Sequence, residues 1–402
     1  MHTYCQEKET TAFFITSEIL IGETLEANTN FPETNLQKAF VLNLGKYHFS
    51  NEKEWYYRLK YPKTGISLAI IDFGNTQKIG KAYTIMPFIE FGLFRKKSQR
   101  WNLFLGAGGS YMDTQFDATT NANNQAITTK LNWSFRSFMY YDIYKNKKIN
   151  WRLGLGYFHH SNGHTRLPNQ GLNSILASVS AQINTKPKTN KTLENPIKIK
   201  THQTYFSIRA GVGQNVLSET FNAKREVFSV AISAGKIINK TFKLGGGLYY
   251  RYYENYYDYI KKSEYLIEEQ VPHFRDNPYK YATNYGIFGS AELLLDHFGF
   301  EFDIGISFYK PFYKIDWQLN QGYSFQNANG ETIEVLGELN SYYKLKKTVP
   351  IRAGLKYYLF SNNTCPKHNL YIAAHINANL GQADFTELSL GYVYRLNLKN
   401  KE

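Results

Sequence analysis

Cysteine is nearly absent from this 402-residue chain: Cys5 and Cys365 are far apart, and each has one His three residues away (His2, His368) but no second Cys nearby. That excludes a disulfide framework and a Cys/His zinc site. Cys5 also lacks the preceding apolar run that a lipoprotein signal requires. No run of about 18 apolar residues occurs, so a transmembrane helix is excluded. Mean hydropathy is low, at −0.46. The opening residues, Met1-His2-Thr3-Tyr4-Cys5-Gln6-Glu7-Lys8, carry neither a charged n-region nor an apolar h-region. For an exported protein, a signal peptide is then expected upstream of this start or already removed. Helix-turn-helix, zinc-finger and RNP-type patterns are missing too. The formal net charge of +14 therefore points to an acidic lipid or anionic glycolipid and not to nucleic acid. No internal repeat or low-complexity tract stands out.

Aromatic residues are what the chain has in excess: 33 Tyr and 28 Phe, with 29 Gly against 11 Pro. Tyr and Phe favour strands, and Gly suits turns and crowded barrel walls. Low hydropathy does not exclude a transmembrane β-barrel, because lipid-facing residues alternate with polar lumen-facing ones and average out. Alternating segments predict strands near 11–22, 37–49, 54–74 (kinked at Pro62), 81–96, 100–115, 131–145, 149–161, 173–184, 203–215, 226–239, 242–257, 282–296, 299–312, 348–360, 369–379 and 383–398. Short connections such as 146–148 and 240–241 lie on one side and longer ones such as 116–130 and 162–172 on the other, as in outer-membrane barrels. The basic link Lys186–Lys200 reads as a solvated turn on the short side. The expected fold is all-β: one antiparallel transmembrane β-barrel of about 14–16 strands over residues 1–402. A soluble β-sandwich with one wet face is the alternative.

One segment carries chemistry. In a strand over 149–161, residues two apart share a face. One face then holds Trp151, Leu153, Leu155, Tyr157, His159 and Ser161; the other holds Arg152, Gly154, Gly156, Phe158, His160 and Asn162. A His and a Ser thus end a greasy face side by side. Asn173 opens the next strand on the face of Ile175 and Val179, and antiparallel pairing brings it back beside His159 or Ser161. A Ser hydroxyl needs an adjacent base to become a useful nucleophile, and the base needs a third group to fix its tautomer. Adjacent histidines point apart in a strand, so His159, His160 and His164 are not expected to form a metal site, and no cofactor is expected. Pro168-Asn169 and Gly171 suit either a turn or an oxyanion-binding role. Arg136 and Asp142 are expected inside the barrel.

His159-x-Ser161-Asn162-Gly163 followed by Pro168-Asn169-x-Gly171-Leu172-Asn173 resembles the lipid A deacylase family (PagL-type, which includes proteins named acyloxyacyl hydrolase in Bacteroidetes). Trp55…Pro62…Gly65, Asp72-Phe73-Gly74-Asn75 and the run Asn121–Ile127 resemble its other recurrent segments, so the likeness covers roughly residues 50–185. The resemblance implies an outer-membrane serine esterase whose site faces the outer leaflet and whose substrate is the ester-linked 3-acyl chain of lipid A (lipopolysaccharide). It implies His159 as base, Ser161 as nucleophile, and Asn162, Gly163 and Asn169 as oxyanion donors. The third member of the family's triad is a Glu, which falls here on Asn173. That departure leaves open an Asn-type triad, a slower enzyme, or a binding protein on the same scaffold. Two competing readings of the whole remain: a porin or hydrophobe transporter, and a phospholipase with the same triad.

Overall fold

The computed structural model describes residues 12–49, 53–94, 98, 100–184, 200–326, 328–330, 332–396 and 399–401. Cys5 and all but the end of the basic link before Lys200 lie outside them. The chain is an antiparallel all-β membrane protein with sixteen barrel strands among the described residues, within the expected 14–16, but they close as two eight-stranded barrels and not as one. The first is built in chain order from β1 (Phe13–Leu25), β2 (Gln37–Tyr47), β3 (Lys63–Asp72), β4 (Lys81–Gly92), β5 (Trp101–Met112), β6 (Leu131–Lys145), β7 (Ile149–Ser161) and β8 (Leu172–Asn184). The expected single barrel fails because β8 does not pass its free edge on to a ninth strand. It pairs with β1 from Phe14↔Asn184 to Leu25↔Asn173, so both edges are satisfied.

The second barrel follows with β9 (Lys200–Asn215), β10 (Arg225–Ile238), β11 (Phe242–Tyr253), β12 (Thr283–Leu295) and β13 (Phe298–Tyr309). A small hairpin, β14 (Tyr323–Gln326) and β15 (Thr332–Val335), interrupts it before β16 (Pro350–Tyr358), β17 (His368–Asn379) and β18 (Gln382–Arg395). β18 and β10 both pair with β9, which closes this sheet, and β19 (Lys399–Lys401) lies against the start of β9. One compact unit comprises residues 1–162 and 169–196, the other 163–168 and 197–402.

Each wall is two-faced in the way strand periodicity demands. In the first barrel Leu155 is 62% exposed and Val179 52%, while Arg152 is 2% and Ser180 1% exposed. Ile19, Phe40, Ile70 and Ile85 continue the apolar exterior, and Ile208, Ile232, Ile304 and Leu390 do the same for the second barrel. Charges are turned inward. Glu18 receives Arg136 at 2.7 Å, and Tyr140 and Asn43 also donate to it. Glu90 takes Lys63 at 2.6 Å and Arg152 at 2.9 Å, and Arg152 also meets Asp142. Polar inside and apolar outside is the inverse of a soluble protein and suits a wall in hydrocarbon.

An eight-stranded barrel has an interior that side chains can fill. Phe14, Phe88, Phe104, Phe138 and Tyr140 fill the first. In the second, Arg352 bonds Glu301, Asp303 and Glu387, while Lys356 and Lys243 share Glu292. A void beside Arg209 and Arg352 measures about 10 Å³, room for about one water.

The sequence also predicts strand over 54–62, where the structure has a short helix, Glu54–Arg58. An i,i+4 ion pair between Glu54 and Arg58 (2.8 Å) holds it. Positive φ at Lys60 and Tyr61 then turns the chain into β3.

Candidate functional site

The site is built at one end of β7. Register places His159 opposite Asn173 of β8 on one side and opposite Phe135 of β6 on the other; Ser161 lies opposite Trp133. The expected pairing of Asn173 is therefore with His159. The Asn173 side-chain oxygen lies 2.7 Å from His159 Nδ1. The Tyr157 hydroxyl donates to the same oxygen and stands 3.5 Å from His159 Nδ1. Its ring runs nearly parallel to the imidazole, at 12°. Two side chains of the outer face, Tyr157 and His159, thus converge on the Asn173 amide oxygen, at the point where the wall changes from Leu155 to polar residues.

Ser161 is buried, two residues on. The Asn169 side-chain amide donates to its Oγ at 2.9 Å, while Asn169 Oδ1 accepts the Asn162 backbone N–H at 3.0 Å. Asn169 is therefore held at both ends and presents an N–H group to the Ser161 oxygen. Asn162 has its own N–H engaged by this clamp. Gly163 follows with φ +65, a left-handed conformation that suits glycine.

Loops position these groups. Gln170 N–H bonds Gln125 O at 3.1 Å, and Gly171 N–H bonds Ala126 O at 3.0 Å. The 121–127 segment is itself anchored. Asn121 and Asn124 donate to Lys78 O, and Asn28 binds both Asn123 and Gln125. Ala126 and Ile127 are buried in the barrel core. Gly171 has φ +79, and a Cβ on it would come within 2.9 Å of His159 Cε1. Only glycine suits both the turn and the close approach of the imidazole. By contrast, Trp55 packs on His48, in the connection from β2 to β3, at the other end of the barrel.

His160 points the other way. It is buried in the lumen, with Nδ1 at 2.9 Å from Ser134 Oγ and 3.2 Å from Ser110 Oγ, and Phe158 and Phe73 against its ring. Among the described residues no cluster of three or more His, Cys, Asp or Glu is arranged to hold a metal. The sequence does not single out two of these roles: periodicity makes Tyr157 only a lipid-facing aromatic, and nothing in it marks Gly171 as the wall behind His159. Tyr157 carried a usable signal, since it lies two residues before His159 on the same face.

Comparison with known proteins bears on the first barrel. Residues 24–182 match the family model described as lipid A 3-O-deacylase (PagL), which upholds the resemblance read from the sequence and extends it from the end of β1 through β2–β7 and most of β8. No curated protein matches the chain. Solved structures with some likeness include an outer membrane channel of Pseudomonas putida F1, 9% identical over 96% of this chain and 95% of that one, with a TM-score of 0.18. OccK10 (OpdN) of Pseudomonas aeruginosa is also 9% identical, over 96% and 99%, with a TM-score of 0.19. Likeness at that level carries no argument about activity. What the first barrel is similar to, over residues 24–182, is a lipid A 3-O-deacylase.

Proposed function

We propose that the chain is an outer-membrane serine esterase that removes an ester-linked acyl chain from lipid A. The observation that carries this reading is the outer-face constellation of His159 against Asn173 and Ser161 against Asn169, within the segment that matches the deacylase family. In this reading His159 keeps its proton on Nδ1, bonded to Asn173, and turns Nε2 toward Ser161. Ser161 Oγ attacks the ester carbonyl as Nε2 takes its proton. The Asn169 amide stabilises the oxyanion. Collapse expels the sugar hydroxyl, which regains the proton from His159 and leaves an acyl-Ser161 ester. Water, deprotonated by His159, then releases the fatty acid. A site on the apolar wall suits a substrate whose acyl chains lie in the same leaflet, and the +14 charge suits its phosphates.

Mass spectrometry of lipid A from cells with and without the protein is the test. Loss of one acyl chain is expected with the wild type. Ser161→Ala and His159→Ala should each abolish it with the barrel still inserted, since losing a triad nucleophile or base costs roughly 10⁴–10⁶ in rate. Equal acylation with wild type and Ser161→Ala would refute the reading. Unchanged lipid A together with accumulating lysophospholipid would assign phospholipase activity instead.

A further inference from the structure

An amide beside a histidine poses a problem that a carboxylate does not. A carboxylate offers an acceptor oxygen whichever way it is turned. An amide has an acceptor end and a donor end. With its oxygen toward His159, Asn173 receives the Nδ1–H bond and leaves Nε2 as the lone-pair nitrogen, free to act as the base that the proposed function requires. Turned over, its NH₂ donates to Nδ1, moves the imidazole proton to Nε2 and removes the base. The hydrogen bond at one ring nitrogen sets the protonation of the other. In the Ser-His-Asp template, replacing the acid by its amide gives the wrong tautomer and costs about 10⁴ in rate.

The group that decides between these orientations is Tyr157. Its hydroxyl is bonded to Asn173 Oδ1, the same atom that faces His159 Nδ1 at 2.7 Å. A phenol gives up its proton to a hydrogen bond more readily than it accepts one, because its lone pair is delocalised into the ring. An amide carbonyl is the better acceptor. The Tyr157–Asn173 bond therefore favours the oxygen-inward amide, and two donors on one carbonyl increase its polarisation. We propose that Tyr157 is a positioning residue that fixes the tautomer of His159 through Asn173, and so lets an amide do the work of an acid. The proposal rests on the reading of His159 and Ser161 as base and nucleophile, but its core, control of the His159 tautomer, is observable without turnover.

The experiment uses the full chain in detergent micelles, with ¹⁵N-labelled histidine. The His159 resonances are identified by their loss in His159→Gln. Hydrolysis of p-nitrophenyl esters is followed in parallel. In the wild type His159 should carry its neutral-state proton on Nδ1. Tyr157→Phe should move a measurable share of it to Nε2 and lower kcat at least about tenfold with KM unchanged, a part of the ~10⁴ that a fully wrong tautomer costs. In an Asn173→Glu background the same Tyr157→Phe change should cost less than about twofold, because a carboxylate has no wrong end. Equal losses in both backgrounds would make Tyr157 a packing residue and overturn the proposal. So would an unmoved tautomer in Tyr157→Phe. A wild type without esterase activity whose His159 tautomer still shifts in Tyr157→Phe would uphold the positioning role and refute the proposed function instead.

Discussion

At the scale of the residue, the site works by crowding. His159 is bounded on one side by Asn173 at hydrogen-bond distance and on another by Gly171, which approaches it too closely for any Cβ. Gly171→Ala adds a methyl group 2.9 Å from His159 Cε1 at a backbone φ of +79. The backbone alone costs about 1–2 kcal/mol for a non-glycine residue in this region. That loss is small for a barrel, so insertion should persist. The displaced imidazole should lower kcat at least about tenfold, within the 10²–10⁴ that general-base catalysis contributes. Wild-type rates from a well-inserted Gly171→Ala protein would show that the ring has room to spare. The Asn173 series is equally direct. Asn173→Leu removes the acceptor and should lower the rate substantially, while Asn173→Glu should retain or raise it, because a carboxylate orients the ring and also stabilises the imidazolium. Initial rates from pH 6 to 9 for the three proteins decide it; a Leu variant equal to wild type would remove Asn173 from the site.

At the scale of the strand, β7 shows what is legible in sequence and what is not. The alternation from Trp151 to Ser161 is local information. It assigns Leu155 to the exterior and Arg152 to the interior, as found, and it separates His159 from its neighbour His160, which bonds Ser134 inside the barrel. Antiparallel neighbours alone bring Asn173 back beside His159 or Ser161, and the register decides for His159. The helix at Glu54–Arg58 is not legible in the same way, because Trp55, Tyr56 and Tyr57 favour strand locally, and what overrides them is an ion pair and two positive φ angles. Nor is the hydroxyl bond of Tyr157 legible, since periodicity places a side chain on a face without stating what its tip reaches. The faces themselves make a prediction. Leu155→Lys places an ammonium in hydrocarbon and should destabilise the barrel by about 2–4 kcal/mol if near the midplane. Urea titration of folding into vesicles measures this. Cysteines at 155 and 152 should be labelled by membrane-confined and aqueous probes respectively; the inverse labelling would turn His159 into the lumen.

At the scale of the whole molecule, the question is why sixteen strands make two barrels. Strand number is read from alternation, but closure depends on whether β8 meets β1 or continues to β9, and those partners are more than a hundred residues apart. The register from Phe14↔Asn184 to Leu25↔Asn173 settles it. Inside, Ser178 of β8 reaches Glu18 of β1 and Gln182 reaches Tyr47 of β2, so polar contacts across the seam agree with the strand pairing. His159, Ser161, Asn169 and Asn173 all belong to this first unit, and the family match ends at residue 182, within β8. A closed barrel leaves no edge waiting for a partner. Residues 1–184 alone should therefore insert as an eight-stranded barrel, show heat-modifiable mobility on electrophoresis, and still remove the acyl chain from lipid A. Failure of this fragment to insert would mean that β1–β8 cannot close without the second unit. A fragment that inserts but is inactive, beside an active full chain, would mean that residues beyond Asn184 complete the site.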